Sequence, residues 1–581
     1  MGLQQTPRRR RSPWVRYAPI IVVVVIAAIV GIVLATRNSN SGNNNVQVNT
    51  PAPATAVSGQ NGVPLFYNDA KAQGIADTKK WHNCDTTTGR VAIPILNPPP
   101  CVEEFTGNNG GATSPGVTAS TIKIGYYIAK PDPTLDGVLA QAGAYDPPDQ
   151  TAQAAKDYAE IYGNTYELYG RKVQLVRIDG SGSGSDSVAA RADADRAAAS
   201  GVFAVVGGPA QTKAFGDELA QKKILCIGTC IIAQPQRYYE EHSPYMWPAG
   251  PAPDQTSTMV TTFIKNQLAG KPAQYAGPGL KGKTRTFTML TYDTPDNQYR
   301  ASWDDLATKL KATGVDVVDH VDYYLNIPTM QADARTIATR LKQKDATSIL
   351  FTGDPIFPIF LTAEMTKENY FPEWVMSGTV FADTNVFARK FDQKQWVHAF
   401  GLQLVPARIP KEKQDAYTLH QWWFNTPPPD QNAYAVVKGD WELLMNGLQL
   451  AGPNLTPQAF KNGLDATPAA APTNAPTLQT IVTYGNHGFW QGDDPAGLDN
   501  AGLLFWDPTA VGPDETGTMG TGMYRLMDGG LRYLPNQWPT TPMALFDKTN
   551  TVTIYPANAI PKDLLPKSYP LPPGHATATS G

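Results

Sequence analysis

The stretch GVFAVVGGPAQT, residues 201–212, follows an alanine-rich run at 188–199 and decides how the chain folds. Val202–Val206 is a short β-branched strand signal that ends in Gly207-Gly208, and the next helix begins near 212–222. A strand entering a helix through a glycine turn is one unit of an alternating α/β chain. Working outward, the same unit recurs. Upstream lie strand-like runs at Ile122–Ile128 and Val173–Ile178, with a helix between them that places Ala155, Tyr158, Ala159 and Tyr162 on one face. Downstream comes Ile224–Ile227. Such alternation predicts a parallel, doubly wound sheet.

After a proline-rich joint (Pro248, Pro251, Pro253) the pattern restarts. Strands are predicted at Thr286–Thr291, Val315–Val318, Ser348–Phe351 and Trp374–Met376. Between them run helices carrying Trp303, Leu306 and Leu310, then Ile337 and Leu341. A helix at 433–451 follows. The stretch 501–534 reads as a hairpin, Leu503–Trp506 with Met523–Met527, turning at Asp528-Gly529-Gly530 into Leu531–Leu534. The expected fold class is therefore α/β, with two doubly wound parallel-sheet lobes.

The N-terminus sets the compartment. Residues 18–35 carry no charge, and as a helix they rise about 27 Å, close to a bilayer core. Arg8, Arg9, Arg10, Arg11 and Arg16 precede them without a single acid, which predicts a cytoplasmic N-terminus and a single-pass cell-membrane anchor with the bulk of the chain outside. A cleaved signal peptide is the competing expectation, since Val33-Leu34-Ala35 ends in a small residue. The whole chain has 48 basic and 51 acidic residues, net −3, which excludes a globally basic nucleic-acid binder. With the five arginines inside, 43 basic residues face 51 acidic ones outside, a net charge of −8.

Export permits disulfides. Cys84 and Cys101 close a proline-rich loop. Cys226 and Cys230 lie too far apart in an extended strand, about 13 Å, and pair only if the chain turns at Gly228. Ligands of open α/β sheets bind outside the carboxyl ends of the strands. The loops there supply Tyr127, Gln211, Thr212 and Thr229 from the first lobe and Asp293, Tyr299 and Asp354 from the second. Hydroxyls at a helix start suit a carboxylate, while an acid beside aromatic rings suits an ammonium. The glycine loop Asp179–Asp186 has neither G-x-G-x-x-G spacing nor a terminal Lys-Ser/Thr, so it reads as a loop capped by Ser185 or Asp186. The seven histidines are scattered singly, with no H-E-x-x-H, nucleophile elbow or Walker A motif. No enzyme activity, metal or cofactor is expected.

The ordered series GVTASTIKIGYYI (116–128), YGRKVQLVRID (169–179), GVFAVVGGPAQT (201–212) and QADARTIATRLKQKDATSILFTGD (331–354), ending in DGGLRYL, resembles the type 1 periplasmic-binding-protein family. Its leucine/isoleucine/valine-binding receptors of ABC importers are the nearest branch. The resemblance implies two lobes joined by three crossovers, closing on an amino acid or similar small polar solute and docking on a membrane permease. It implies that Thr212 and Thr229 hold a ligand carboxylate, that Tyr299 is the second-lobe aromatic and that Asp354 lies near the ammonium site. The family's usual Tyr-Gly is Tyr299-Arg300 here, and its Ser-rich loop is Gly-Thr-Cys. The expected division is a basic tail (1–17), an anchor (18–35), a flexible linker (36–62), an irregular pre-domain (63–118), the two-lobed body (119–545) and a Pro-rich tail (546–581). Within the body, lobe 1 takes 119–250 plus 380–480 and lobe 2 takes 251–379 plus 481–545. A ligand-sensing ectodomain signalling through a partner is the alternative function.

Overall fold

The computed structural model describes residues 56–575 apart from 134–135, 137–144, 210, 232–233, 294–298, 327, 379–380 and 573–574. The apolar span 18–35 lies outside the described residues. Among the described residues, no helix is long and apolar enough to cross a membrane.

The segment before the first lobe contains a short helix (Tyr67–Ala72) and an antiparallel pair, β1 (Cys84–Asp85) with β2 (Arg90–Val91). The Cys84–Cys101 bridge closes it, with Cα atoms 5.5 Å apart. Within it Tyr67, Ala70, Ala76 and Cys101 form a small cluster of their own, and its other apolar residues join the first lobe. Val63, Phe66, Val91, Ile93, Ile95 and Val102 share one apolar cluster with Ile124, Trp441 and Leu444 of the first lobe. The buried Arg171 guanidinium stitches the segment down, donating to Asn109 O (2.5 Å), Thr118 O (2.8 Å) and Pro453 O (2.8 Å).

The first lobe carries five parallel strands: β3 (Thr121–Ile128), β4 (Lys172–Asp179), β5 (Ala204–Val206), β6 (Leu225–Gly228) and β7 (Met246–Pro248). Their order is β4-β3-β5-β6-β7. Helix Pro148–Thr165 buries Ala155, Tyr158, Ala159 and Tyr162, the face expected from their spacing. Asp186 caps helix Ser187–Ala199, accepting from Val188 N and Ala189 N at 3.0 Å each.

The second lobe repeats the plan with β8 (Phe287–Asp293), β9 (Val317–Tyr324), β10 (Ser348–Thr352), β11 (Glu373–Met376) and β12 (Ala399–Gln403), all parallel and ordered β9-β8-β10-β11-β12. In both lobes the second strand flanks the first, and the third to fifth follow on its other side, so one topology is used twice. The sheet then grows by antiparallel addition of β13 (Ala501–Pro513) and β14 (Met519–Met527). The predicted hairpin forms, with Leu504 opposite Leu526 and Trp506 opposite Tyr524. After the turn, β15 (Arg532–Tyr533) pairs with β13, Ala501 opposite Tyr533.

Two expected boundaries move. The chain does not return to the first lobe at 380, because β12 completes the second parallel sheet. It crosses after Gln403, and helices Asp415–Phe424, Tyr434–Leu450 and Pro457–Asp465 then pack into the first-lobe cluster through Leu419, Trp441 and Phe460. Tyr484 still belongs to that cluster, so the third crossing comes nearer β13 than 481. The stretch after 546 is also more than a tail. Its β16 (Thr551–Val552) pairs with β14, and Ile554, Ile560 and Leu564 are buried in the second-lobe core.

Arg532 gathers the crossings. It is buried, and burial pulls its guanidinium down to about 9, still protonated at neutral pH. It donates to Leu404 O (2.6 Å), Val405 O (3.1 Å), Asn500 O (2.9 Å) and Asn500 Oδ1 (3.1 Å), while its backbone pairs with Thr477. Arg532→Met removes every one of these side-chain donors and leaves buried carbonyls unpaired. At about 1–3 kcal/mol per orphaned group, urea unfolding should show a loss of more than about 3 kcal/mol. A loss below 1 kcal/mol would show that water replaces the guanidinium at the crossings.

Candidate functional site

In a doubly wound sheet the crevice opens outside the carboxyl ends of the strands, where the strand order reverses. In the first lobe that point lies between β3 and β5. A Cβ placed on Gly207 would sit 3.5 Å from Tyr127 O and 3.7 Å from Thr229 Oγ1, so the ends of β3, β5 and β6 converge there. Gly208 packs against the next turn even more closely, its virtual Cβ 2.7 Å from Cys230 O.

That turn is made by Gly228, whose φ is +66°. It folds the chain back so that Cys226 and Cys230 bridge with Cα atoms 5.4 Å apart, as their spacing required. Thr229 at its apex is held by a carboxylate from within the protein. Its N–H donates to both Asp440 oxygens at 3.1 Å, and its hydroxyl donates to Oδ2 at 2.5 Å. Asp440 comes from the middle of helix Tyr434–Leu450. A side chain at Gly228 is sterically excluded, since its Cβ would lie 2.0 Å from Asp440 Oδ1. Burial pushes the Asp440 carboxyl up to about 7 against the pull of the Thr229 bonds.

The other first-lobe candidates also have internal partners. Thr212 Oγ1 lies 3.0 Å from Ser187 Oγ and accepts from Ala214 N at the start of helix Ala214–Gln221. Gln211 N donates to Gly184 O at 3.0 Å, which joins this loop to the glycine loop 180–186. The Tyr127 hydroxyl donates to Asp193 Oδ2 at 3.0 Å, and Ser181 reaches the same carboxylate through its N–H and hydroxyl. Burial raises Asp193, but these donors and Arg196 bring it below the ordinary carboxylate range. The glycine loop is thus closed onto a carboxylate, as suits a capped loop.

In the second lobe, Asp293 Oδ1 accepts from Tyr299 N at 3.0 Å, and Tyr299 packs beside Tyr292 with ring centres 5.7 Å apart. Asp354 caps helix Phe357–Lys367, accepting from Ile356 N (2.7 Å) and Phe357 N (3.0 Å) on Oδ1 and from the Tyr323 hydroxyl (2.6 Å) on Oδ2. Tyr323 stacks on Phe357 at 4.1 Å and lies 6.0 Å from Tyr292. Burial pushes the Asp354 carboxyl up.

The seven candidates therefore form two sets, one at the carboxyl edge of each sheet. Thr212, Thr229 and Asp354, expected to hold the charged ends of a ligand, are engaged by protein groups. Sequence reasoning missed Asp440, Asp193, Tyr292, Tyr323 and Phe357. Asp440 carried a legible signal, an acid inside the apolar run AYAVVKGDWELLMNGLQLA. Among the described residues, no group of three or more His, Cys, Asp or Glu side chains is set to hold a metal ion.

The chain thus has two such sheets joined by three crossings, and a family model for periplasmic binding proteins matches residues 137–491. The chain belongs to the periplasmic binding protein family. Solved structures to which the chain is similar include a substrate-binding protein of an ABC transporter from Aeropyrum pernix (16% identity, 72% of this chain and 98% of that one, TM-score 0.47). Another is a solute-binding protein from Rhodopseudomonas palustris BisB5 in complex with 3,4-dihydroxybenzoic acid (13%, 71% and 98%, 0.46). A third is the branched-chain amino acid transporter substrate-binding protein LivJ of Streptococcus pneumoniae with isoleucine (13%, 70% and 100%, 0.43). No curated protein matches the sequence.

In this periplasmic binding protein the Asp440 clamp gives a signed prediction. A carboxyl raised to about 7 on folding favours the native state most below its unfolded value near 4, and that advantage is lost as the pH rises through 7. Asp440→Asn keeps an acceptor for Thr229 and cannot ionise. The stability of the variant relative to the parent should therefore rise between pH 5 and pH 8 by roughly 2–3 kcal/mol in urea unfolding, and stay level above pH 8. Equal differences at the two pH values would mean that Asp440 is ionised throughout.

Proposed function

We propose that the protein is the extracytoplasmic solute-binding component of an ABC importer, held at the membrane by its own N-terminal helix. It takes an amino acid or similar small polar solute between its two lobes and presents it to a membrane permease. The observation that carries this reading is the repeated sheet order: two parallel sheets of identical topology joined by three chain crossings. Membership of the family supports binding and delivery over catalysis.

Tyr127, Gln211, Thr212 and Thr229 mark the first-lobe loops that meet the solute, and Asp293, Tyr299 and Asp354 mark those of the second. Because the Thr212, Thr229 and Asp354 side chains are engaged within the protein, their part is to fix the loop backbone whose remaining N–H and C=O groups face the crevice. The cation–π and stacking surface comes from the tyrosines around Tyr292.

A thermal-shift screen against amino acids, amides, short peptides and small organic acids tests the reading. A solute at 100 times its Kd adds about 2.7 kcal/mol of stability. A stabilising solute should lose most of its affinity with Gly228→Ala, which displaces the Asp440 clamp. If no compound in the panel moves the melting curve while the permease still binds, solute reception is wrong. Alkaline carbonate washing tests the tether separately: full-length chain should stay with the membrane pellet, and its release would rule the anchor out.

A further inference from the structure

The two segments that flank the two-lobed body, 56–118 and 546–575, meet each other, and their meeting point spans the lobes. On the second lobe the C-terminal segment is rooted by β16 in the sheet and by Ile554, Ile560 and Leu564 in the core, with Leu565 packed against the same cluster. Two residues later it is on the first lobe. The Lys567 ammonium lies 2.5 Å from Asp85 Oδ2, and the Tyr569 hydroxyl donates to the same oxygen at 3.0 Å. Tyr569 O accepts from Trp422 Nε1 at 2.8 Å, Leu571 packs against the first-lobe core, and the His575 ring lies tilted against Trp423 with ring centres 4.0 Å apart.

The receiving surface is built to hold. Asp85 sits beside the Cys84–Cys101 bridge, at the end of β1 where the chain turns toward β2. Its second oxygen, Oδ1, accepts from Thr87 N (3.0 Å) and Thr87 Oγ1 (2.6 Å), which leaves Oδ2 to Lys567 and Tyr569. The link between the two rooted parts is short, and Pro566 within it fixes one backbone angle. A stiff link of this length cannot take up slack when its two ends are fixed to different bodies.

We propose that residues 565–571 are a fourth connection between the lobes, a strap gripped by Asp85, which restrains how far the lobes swing about the three crossings. The strap rests on the two-lobed receptor reading, and its test needs no solute, so its failure leaves the solute screen unaffected.

All four cysteines are bridged, so two introduced cysteines label cleanly. Val188 on the first lobe and Tyr324 on the second are both exposed, at 77% and 42%. Spin labels at Val188→Cys and Tyr324→Cys in the detergent-solubilised full chain should give a narrow distance distribution by pulsed dipolar spectroscopy. A stop after Pro566 should broaden that distribution at least twofold while the melting temperature shows a folded protein. If truncation prevents folding, the triple variant Trp422→Phe, Lys567→Ala, Tyr569→Phe decides. It removes the polar grip, leaves the buried apolar anchors in place and should broaden the distribution as well. An unchanged distribution in whichever of the two folds overturns the strap.

Discussion

The buried guanidinium of Arg532 is the constraint on which the two-lobed arrangement depends. Chain crossings between lobes are stretches of backbone outside regular sheet and helix, and their carbonyls still need donors. Arg532 supplies those donors at Leu404, Val405 and Asn500, and so couples the second crossing to the third. Charged hydrogen bonds to fixed carbonyls are stronger than neutral ones and tolerate little displacement. The pivot is therefore tied at one defined point. The first crossing is held independently, with Gln236 N donating to Asp254 Oδ2 and Ala252 N to Gln255 Oε1.

Repeating one strand order in both lobes places two sets of helix N-termini at the carboxyl edges of the sheets, and each terminus brings backbone N–H groups that lack partners. Polar side chains at that edge thus have two competing uses, capping the helices or binding a ligand. The structure resolves the competition toward capping for Thr212 and Asp354 and toward clamping a turn for Thr229. Under the proposed solute reading this makes a preorganised rim: loops whose shape is set before a solute arrives lose less entropy on binding than loops that must order around it.

The fold was legible where physics writes it into local sequence. β3, β4, β6 and β8 are apolar or alternating runs bounded by turns, and their positions agree within one or two residues. β7 and β12 were missed because Met246–Pro248 looked like a proline joint and Ala399–Gln403 is only five residues long with a glycine at its centre. Missing β12 shifted the expected lobe boundary to 380. The candidate site was legible as loops but not as side-chain roles. Whether Asp354 faces a ligand or caps a helix depends on Tyr323, 31 residues away, and the role of Thr229 depends on Asp440, 211 residues away. Partners at such separations leave no local pattern.

The flanking segments change how the tether acts under the proposed membrane attachment. The spacer enters the structure at Val63 and Phe66, which are buried in the first-lobe core. Under that attachment a pull from the membrane enters through the first lobe and reaches the second through the crossings and the proposed strap. The second crossing and the C-terminal segment both leave that second lobe, and both reach the first lobe at or near helix Asp415–Phe424. Under that proposed attachment the anchor joins the first lobe, while the nine-stranded sheet of the second, enlarged by β13, β14, β15 and β16, forms the opposite wall. A receptor built this way can hold one face toward its anchor through a cycle of opening and closing, because neither the anchor nor the disulfide-closed segment beside it has to move with the solute.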